Sequence, residues 1–285
     1  MSAPPIDAVA IKRAAEVLRR GGIVALPTET VYGLAADAEN EDAVRKLFAA
    51  KGRPADHPVI VHVSGADAFD DWAVEVPDAA RVLARAFWPG PLTLVLKRSA
   101  GARDIVTGGQ DTVGLRAPAH PWTRAVLHAF GGALAAPSAN SFGRVSPTTA
   151  QHVVDDLGVK PRGKVDLVVD GGACPVGIES TIVDACSDLP TLLRPGAVTR
   201  DQLQRTLGLQ IVDAGARSPR TSGRLEKHYA PQTPLTVMPV DALSTLVSKP
   251  GGARLALLAP LGLLQHCRAN VALAIAAAEH PDEYA

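Results

Sequence analysis

The sequence has little of several features that mark particular classes of protein. Aromatic residues make up only 4% of its 285 residues, so a stacking platform for single-stranded nucleic acid would have few rings to use. Lysine and arginine together number 29, as do aspartate and glutamate, and the formal net charge is therefore zero. Because no global field draws the chain onto nucleic acid or an acidic membrane, any site for a polyanion must be local.

Cysteine and long apolar runs are also scarce. Cys174, Cys186 and Cys267 are odd in number and lack C-x-x-C spacing, which fits neither a disulfide framework nor a zinc site. No apolar run approaches the roughly 18 residues of a membrane span, and charged residues occupy the N-terminal region where a signal peptide needs an apolar core. We therefore expect a cytoplasmic protein with no membrane contact and no protein-bound metal.

Turn-forming residues, in contrast, are plentiful. The 25 glycines and 23 prolines indicate many turns, and the length suggests about two domains. Short apolar runs alternate with helical patterns, such as those after Asp7, around Val44 and over residues 148–157, which is typical of an α/β domain with a mixed sheet. Strands are predicted at residues 23–26, 59–63, 92–96, 112–115, 133–136, 165–169, 178–183 and 191–193.

The chain divides by composition into three regions. The α/β pattern occupies residues 1–210, and residues 211–234 carry four basic and two acidic residues without apolar periodicity, which predicts a basic linker. The remaining residues 235–285 are predicted to form a small α/β domain, with a strand and turn within 252–264 and an alanine-rich helix over 270–279. This last region is near the lower size limit for an independent core.

Polar residues recur at the ends of the predicted strands, where open α/β sheets place the groups that bind ligands. Each residue alone has an ordinary explanation, because Lys51 or Arg53 could be a solvated helix end and His62 a satisfied core histidine. Taken together, they predict an α/β domain with a cleft for a polyanion. The set comprises Thr28, Thr30, Lys51, Arg53, His62, Thr112, Arg116, Ser138, Asn140, Ser146, Ser180 and Arg194.

Longer motifs contain most of these residues. They read Leu26-Pro-Thr-Glu-Thr-Val-Tyr-Gly-Leu34, Lys51-Gly-Arg-Pro54, His57-Pro-Val-Ile-Val-His62, Trp88-Pro-Gly-Pro-Leu-Thr93, Val113-Gly-Leu-Arg116, Ala136-Pro-Ser-Ala-Asn140, Gly177-Ile-Glu-Ser-Thr-Ile-Val183 and Leu193-Arg-Pro-Gly196. In this order, over residues 7–200, they resemble the YrdC-type threonylcarbamoyl-AMP synthases. His228-Tyr-Ala-Pro231 resembles the linker signature of the longer, two-domain branch of that family.

The resemblance implies a fold, a reaction and a set of partners. The fold is a twisted mixed sheet with a nucleotide cleft, followed by a linker and a C-terminal α/β domain, here expected to be partial. The reaction condenses L-threonine, bicarbonate and ATP, with Mg²⁺ accompanying the ATP and no tightly bound cofactor, to threonylcarbamoyl-AMP and pyrophosphate. A downstream tRNA threonylcarbamoyl transferase would use the product to form N6-threonylcarbamoyladenosine, so tight direct tRNA binding is not expected.

The resemblance also assigns roles to residues by motif. The threonine would be held by Thr30, His62, Arg116, Ala136 and Ser180. ATP would be held by Lys51, Arg53, His57, Thr112, Ser138, Asn140, Ser146, Arg194, His228 and Tyr229, with the last two on a linker that closes over the nucleotide as a lid. Lys51 and Arg53 would also be catalytic, because they can neutralise phosphate charge.

Two other functions remain open from the sequence. One is a related domain that forms a carbamoyl-adenylate in another pathway, although such domains usually lie in longer proteins with zinc-finger cysteines that this chain lacks. The other is an RNA-binding module, against which the zero net charge and the few aromatic residues argue. A steep loss of RNA affinity with rising salt concentration would identify the second of these.

Overall fold

The computed structural model describes residues 4–187, 189–216, 218–223, 229–231, 233–248, 255–259, 261–264 and 271–276. Contacts divide the chain into two compact units, Met1–Ala230 and Pro231–Ala285. Residues 211–216 and 218–223 therefore lie with the first unit, together with Tyr229 and Ala230, and Val212–Asp213 adds an edge strand to its sheet. Among the described residues, no helix is both long and apolar enough to span a bilayer.

A twisted mixed sheet organises the first unit, as the α/β pattern predicts. Its ten described strands are β1 (Val24–Leu26), β2 (Gly33–Asp37), β3 (Ile60–His62), β4 (Leu92–Lys97), β5 (Thr112–Arg116), β6 (Leu134–Ala135), β7 (Leu167–Val168), β8 (Thr181–Asp184), β9 (Thr191–Arg194) and β10 (Val212–Asp213). They lie in the order β10-β9-β8-β4-β5-β3-β6-β2-β1-β7. The sheet contains parallel pairs, such as β3 with β5, and antiparallel pairs, such as β4 with β5.

Helices cover the sheet and complete its core. They are α1 (Ala8–Arg19), α2 (Glu41–Lys51), α3 (Phe69–Trp72), α4 (Asp78–Phe87), α5 (Asp104–Thr107), α6 (Pro121–Phe130), α7 (Ala150–Asp156) and α8 (Arg200–Leu207), with a short 3₁₀ turn at Ala66–Ala68. Helix α1 begins where the Asp7 side chain accepts a hydrogen bond from the Val9 amide, as the sequence predicts. Leu18 of this helix packs with Trp122 of α6 in one apolar cluster, and burying such a leucine contributes about 1.5–3 kcal/mol.

Helix α2 carries one of the predicted site residues to its C-terminal end. The Asn40 side chain accepts a hydrogen bond from the Ala43 amide and begins the helix, and Gly52, at φ 65°, ends it. Leu47 and Phe48 face the core, so the helix axis is fixed against the sheet. The last helical residue, Lys51, is thereby held in a buried position.

One predicted element is wrong, and one predicted strand begins later than expected. Strand β8 begins at Thr181 rather than at residue 178, and Ile178 is 55% exposed. The predicted alanine-rich helix at 270–279 is instead strand β12 (Val271–Ala276), which pairs in parallel with β11 (Leu255–Ala259). Valine, leucine and isoleucine alternate with alanine in β12, and this period of two fits a pleated strand better than a helix.

The second unit is described in part. Its helices are α9 (Val240–Ser248) and α10 (Leu261–Leu264), and β11 and β12 form a two-stranded parallel sheet. Leu257 and Ala259 of β11 are buried, whereas Leu273 and Ile275 of β12 are about half exposed. The α/β character expected for residues 235–285 is thus present, with α10 following β11 where a turn was predicted.

Candidate active site

Neighbouring parallel strands bring two of the predicted site residues together. In the register of β3 and β5, His62 lies opposite Arg116, and each is the last residue of its strand. Both line a cleft, which is also bounded by the loops after β1 and β6. The lining residues are Thr28, Thr30, Val31, Gly33, Arg53, Ile60, His62, Arg116, Ala136, Pro137, Ser138, Glu179, Arg194 and Ser222.

The loop after β1 is ordered by a threonine hydroxyl. Thr28 Oγ1 accepts hydrogen bonds from the amides of Thr30, at 3.1 Å, and Val31, at 3.2 Å, and it lies 2.8 Å from Thr30 Oγ1. Glu29 and Thr30 of this local turn are buried, and Thr30 lines the cleft. The side chain of Thr28 therefore fixes the backbone that presents its two neighbours.

Arg116 is held by partners from two loops. Its Nη2 donates to Glu29 Oε1 at 2.6 Å, its Nη1 donates to Thr30 Oγ1 at 3.0 Å, and its Nε donates to the Gly90 carbonyl at 3.2 Å. The second oxygen of Glu29 accepts the Ala119 amide at 2.9 Å. We call Glu29, Thr30, His62 and Arg116 the Arg116 cluster.

His62 completes this cluster as a neutral group. It is 4% exposed, and burial together with the nearby Arg116 charge holds the pKa of its imidazole well below the usual value of 6.5. A neutral imidazole can either donate or accept a hydrogen bond. It therefore adds polarity to the cleft without adding charge.

Arg53 has a different environment. Its Nη2 donates to the Pro58 carbonyl at 2.6 Å and to Ser222 Oγ at 3.1 Å, and its guanidinium lies 5.7 Å from the centre of the Phe142 ring. Its Nε is buried and has no hydrogen-bond partner among the described residues. Burial lowers the pKa of Arg53 to about 10, so the side chain remains a cation at neutral pH.

Arg194 is joined to Arg53 through Ser222, whose carbonyl accepts from Arg194 Nη1 at 3.1 Å. Nη2 of Arg194 lies 3.7 Å from Glu179 Oε2, and the other oxygen of Glu179 accepts the Ser146 hydroxyl at 2.7 Å. We call Arg53, Glu179, Arg194 and Ser222 the Arg53 cluster. It is the part of the cleft that the segment following β10 reaches.

Several predicted residues lie behind the cleft wall rather than on it. Lys51 Nζ donates to the carbonyls of Ser138 and Asn140, the latter at 2.5 Å, and burial with the Arg53 charge lowers its pKa to about 7. Ser180 is fully buried, with its hydroxyl 2.8 Å from Thr93 Oγ1 and 3.0 Å from Arg194 Nη2. These side chains contact residues that line the cleft.

The other predicted residues are more scattered. Thr112 lines an adjacent pocket with Gly114, and the centre of the His57 ring lies 5.4 Å from that of the Phe142 ring. Burial, followed by the Glu179 charge, raises the pKa of Tyr229 to about 12. His228 lies outside the described residues.

Two polar residues of the cleft lining, Glu179 and Ser222, were not predicted, and neither was Glu29, which contacts Arg116 from behind the lining. Each glutamate stands immediately before a predicted residue, Thr30 or Ser180, and this adjacency was the only available signal. Ser222 lies 169 positions from Arg53 along the chain, and nothing in the sequence indicates their contact.

Comparison with known proteins decides the family. A model for the Sua5, YciO and YrdC proteins, described as "Telomere recombination", matches residues 16–196, and one described as "Threonylcarbamoyl-AMP synthase, C-terminal domain" matches residues 198–285. The chain belongs to the Sua5/YciO/YrdC family. The predicted family is therefore confirmed.

Relatives within the Sua5/YciO/YrdC family carry informative names. The threonylcarbamoyl-AMP synthases of Bacillus subtilis and Pyrococcus abyssi are 44% and 42% identical over 80% of this chain, which spans 66% and 67% of their lengths. The crystal structure of P. abyssi Sua5 complexed with L-threonine matches with a TM-score of 0.75 at 41% identity, over 80% of this chain and 67% of that one. This chain thus spans about two thirds of the length of these relatives.

Proposed function

We propose that this chain is an L-threonylcarbamoyladenylate synthase. It would condense L-threonine, bicarbonate and ATP to threonylcarbamoyl-AMP and pyrophosphate, for the N6-threonylcarbamoyladenosine modification of tRNA. The observation that carries the proposal is the cleft itself, lined by a charge-paired arginine and by a buried arginine that has no carboxylate partner in the described part of the chain. Membership of the family and a relative crystallised with L-threonine support it.

The Arg116 cluster is the proposed threonine site. Arginine is the natural partner of a carboxylate, and three of the five N–H groups of Arg116 donate to Glu29, Thr30 and Gly90, which leaves two for a ligand. Neutral His62 and Ala136 would complete the contacts of the amino acid. Ser180 would act behind them, because its hydroxyl is already shared with Thr93 and Arg194.

The Arg53 cluster is the proposed site of the triphosphate. Arg53 is a buried cation whose Nε lacks a partner among the described residues, and a phosphate oxygen would satisfy that N–H. Arg194, Ser138 and Ser146 would contribute further donors. Thr112, His57 and the linker residues His228 and Tyr229 would contact other parts of the nucleotide, with the linker acting as a lid.

Lys51 and Asn140 would act mainly by holding the loop after β6. The Lys51 ammonium donates to carbonyls on both sides of Ala139, so it fixes the segment that presents the Ser138 hydroxyl. Asn140 also donates from Nδ2 to the Ser141 and Arg144 carbonyls. Any effect of Lys51 on phosphate charge would then come through its position beside Arg53.

The chemistry requires no protein nucleophile. The neutral threonine amine adds to CO₂, which bicarbonate supplies with loss of water, and it gives up a proton to form a carbamate. A carbamate oxygen then attacks the α-phosphorus as pyrophosphate leaves. Positioning and charge stabilisation are therefore the tasks of the protein. Among the described residues, no group of three or more histidine, cysteine, aspartate or glutamate side chains could hold a metal, so Mg²⁺ would arrive on the triphosphate, as is usual for this ion.

The test is an assay of pyrophosphate release. The purified chain is incubated with ATP, bicarbonate, Mg²⁺ and each amino acid in turn, and the carbamoylated adenylate is identified by mass spectrometry. We expect release only with threonine and bicarbonate together. Release that does not depend on an amino acid, or that requires carbamoyl phosphate, would contradict the proposal and favour the related carbamoyl-adenylate chemistry.

A further inference from the structure

Glu29 is a buried carboxylate to which neither the motifs nor the reaction assign a task. Only 8% of the residue is exposed, and both of its oxygens are occupied, by Arg116 Nη2 at 2.6 Å and by the Ala119 amide at 2.9 Å. Burying an ion pair costs desolvation energy that the attraction between its charges often does not exceed. The pair is therefore poorly explained as a device for stability alone.

The cleft arginines differ in how fully their charge is balanced. Arg116 has a carboxylate partner at 2.6 Å, and Arg194 has one at 3.7 Å that also accepts from Ser146. Arg53 has no carboxylate within ion-pair distance among the described residues, although the charge of Asp56, followed by that of Glu179, acts on it from farther away. The guanidinium charge is thus most fully balanced at Arg116, less so at Arg194 and least at Arg53.

We propose that Glu29 determines which anion each part of the cleft accepts, an inference that rests on the proposed function. By neutralising Arg116, it leaves guanidinium N–H groups for the carboxylate of a zwitterionic amino acid but no net positive charge for a polyphosphate. Because its second oxygen is held by the Ala119 amide, its contact with Nη2 also fixes the direction of those N–H groups. Glu29 is therefore a positioning and specificity residue for threonine.

The physical basis is the difference between the two ligands. A zwitterion has no net charge and gains mainly from directed hydrogen bonds, whereas a triphosphate gains mainly from net positive charge nearby. An Arg116 without its glutamate would be a second free cation in the same cleft as Arg53. It would then attract phosphate into the amino-acid site.

The experiment measures binding without turnover. Isothermal titration gives the Kd of L-threonine for the full chain, alone and in the presence of inorganic triphosphate, for the wild type and for Glu29→Gln. Glutamine has one acceptor oxygen for two donors, so it cannot replace both contacts, and it carries no charge. We expect threonine to bind at least tenfold more weakly to this variant, and triphosphate to compete with threonine only in the variant.

Two further variants serve as controls for the position and the charge of Glu29. Glu179→Gln makes the same substitution beside Arg194 and should strengthen triphosphate binding rather than weaken threonine binding. Glu29→Asp keeps the charge but is shorter, so it should weaken threonine binding severalfold while triphosphate still fails to compete. If Glu29→Gln does not fold by circular dichroism, unchanged threonine binding by Glu29→Asp overturns the inference.

The remaining outcomes separate this inference from the proposed function. Wild-type affinity for threonine in Glu29→Gln, or equal weakening of threonine binding and of triphosphate binding measured in a separate titration, would show that the pair is only structural and would overturn the inference alone. A wild-type chain that binds no threonine would overturn the proposed function, and the inference with it. Competition by triphosphate in the wild type would overturn the assignment of charge to Glu29.

Discussion

The Arg116 cluster and the Arg53 cluster line one cleft but present their cations in different ways. Arg116 is paired with a buried glutamate and donates to two further oxygens, so its orientation is set before any ligand binds. Arg53 donates to Pro58 and Ser222 but keeps a buried N–H without a partner among the described residues. Two arginines that line the same cleft can thus be adapted to different anions by the residues that pair with them.

The largest expected effect comes from removing Arg116, the cation that Glu29 balances. Arg116→Met would leave Glu29 buried without its partner, and we expect it to lower the free energy of unfolding by about 3–5 kcal/mol. Urea unfolding followed by circular dichroism measures this change. The double variant Arg116→Met with Glu29→Leu should recover much of the loss, because it removes both charges. Equal stability of the single and double variants would show that the two side chains are not coupled.

The next largest effect comes from removing Arg53, whose Nε lacks a hydrogen-bond partner among the described residues. Arg53→Ala removes charge-assisted bonds to the proposed triphosphate, each worth about 1.5–3 kcal/mol, so kcat/KM for ATP should fall roughly 10- to 150-fold. Steady-state assays of pyrophosphate release measure this ratio. Arg45→Ala is the matched control, because Arg45 is exposed on α2 and pairs with Glu41 and Asp42. Equal loss in both variants would argue against a role for Arg53 in the site.

The sequence predicts the first unit well because short apolar runs bounded by turns mark buried strands. It identifies Thr30, His62 and Arg116 for the same reason, since residues at strand ends converge in an open sheet. It fails for β12 because alanine suits a helix intrinsically, whereas the pairing of β12 with β11 is a tertiary effect.

Which site residues contact one another is harder to predict from the sequence than which residues belong to the site. Nothing in a linear pattern states that Glu29 meets Arg116, 87 positions away, or that Ser222 meets Arg53. Lys51 illustrates the same limit, because a lysine at a helix end is usually solvated and this one is buried by the loop after β6. The residue types at strand ends thus predict the chemistry of a site. Which of its cations is paired with a carboxylate becomes known only from the fold.

A smaller effect is expected from removing Lys51, which holds the loop after β6 from behind the cleft wall. Lys51→Met would leave the Ser138 and Asn140 carbonyls without this donor, which costs about 1–3 kcal/mol of stability and should lower kcat by displacing the Ser138 loop. Urea unfolding and steady-state kinetics measure the two changes. Lys46→Met, on the same helix, removes a donor to a single carbonyl, that of Gly21, and should affect stability less and kcat not at all. A normal kcat in Lys51→Met would contradict the bracing role.

The smallest effect is a pH dependence in the Arg116 cluster. The pKa of His62 lies well below 6.5 in the folded state, so below about pH 6.5 the unfolded chain binds a proton that the native chain does not. This histidine therefore makes stability fall as the pH is lowered from 7 toward 5. His62→Asn should lose less stability than the wild type over that interval in urea titrations, and an unchanged pH dependence would contradict the neutral state of His62.

The most direct test of the division of the cleft is a crossed titration. L-threonine and ATP with Mg²⁺ are each titrated calorimetrically into Arg53→Ala and Arg116→Ala, with folding checked by circular dichroism. We expect Arg53→Ala to lose affinity for ATP and to keep that for threonine, whereas Arg116→Ala should lose affinity for threonine far more than for ATP. If each folded variant lost both ligands by the same factor, the two clusters would not be separate sites and the account would be contradicted.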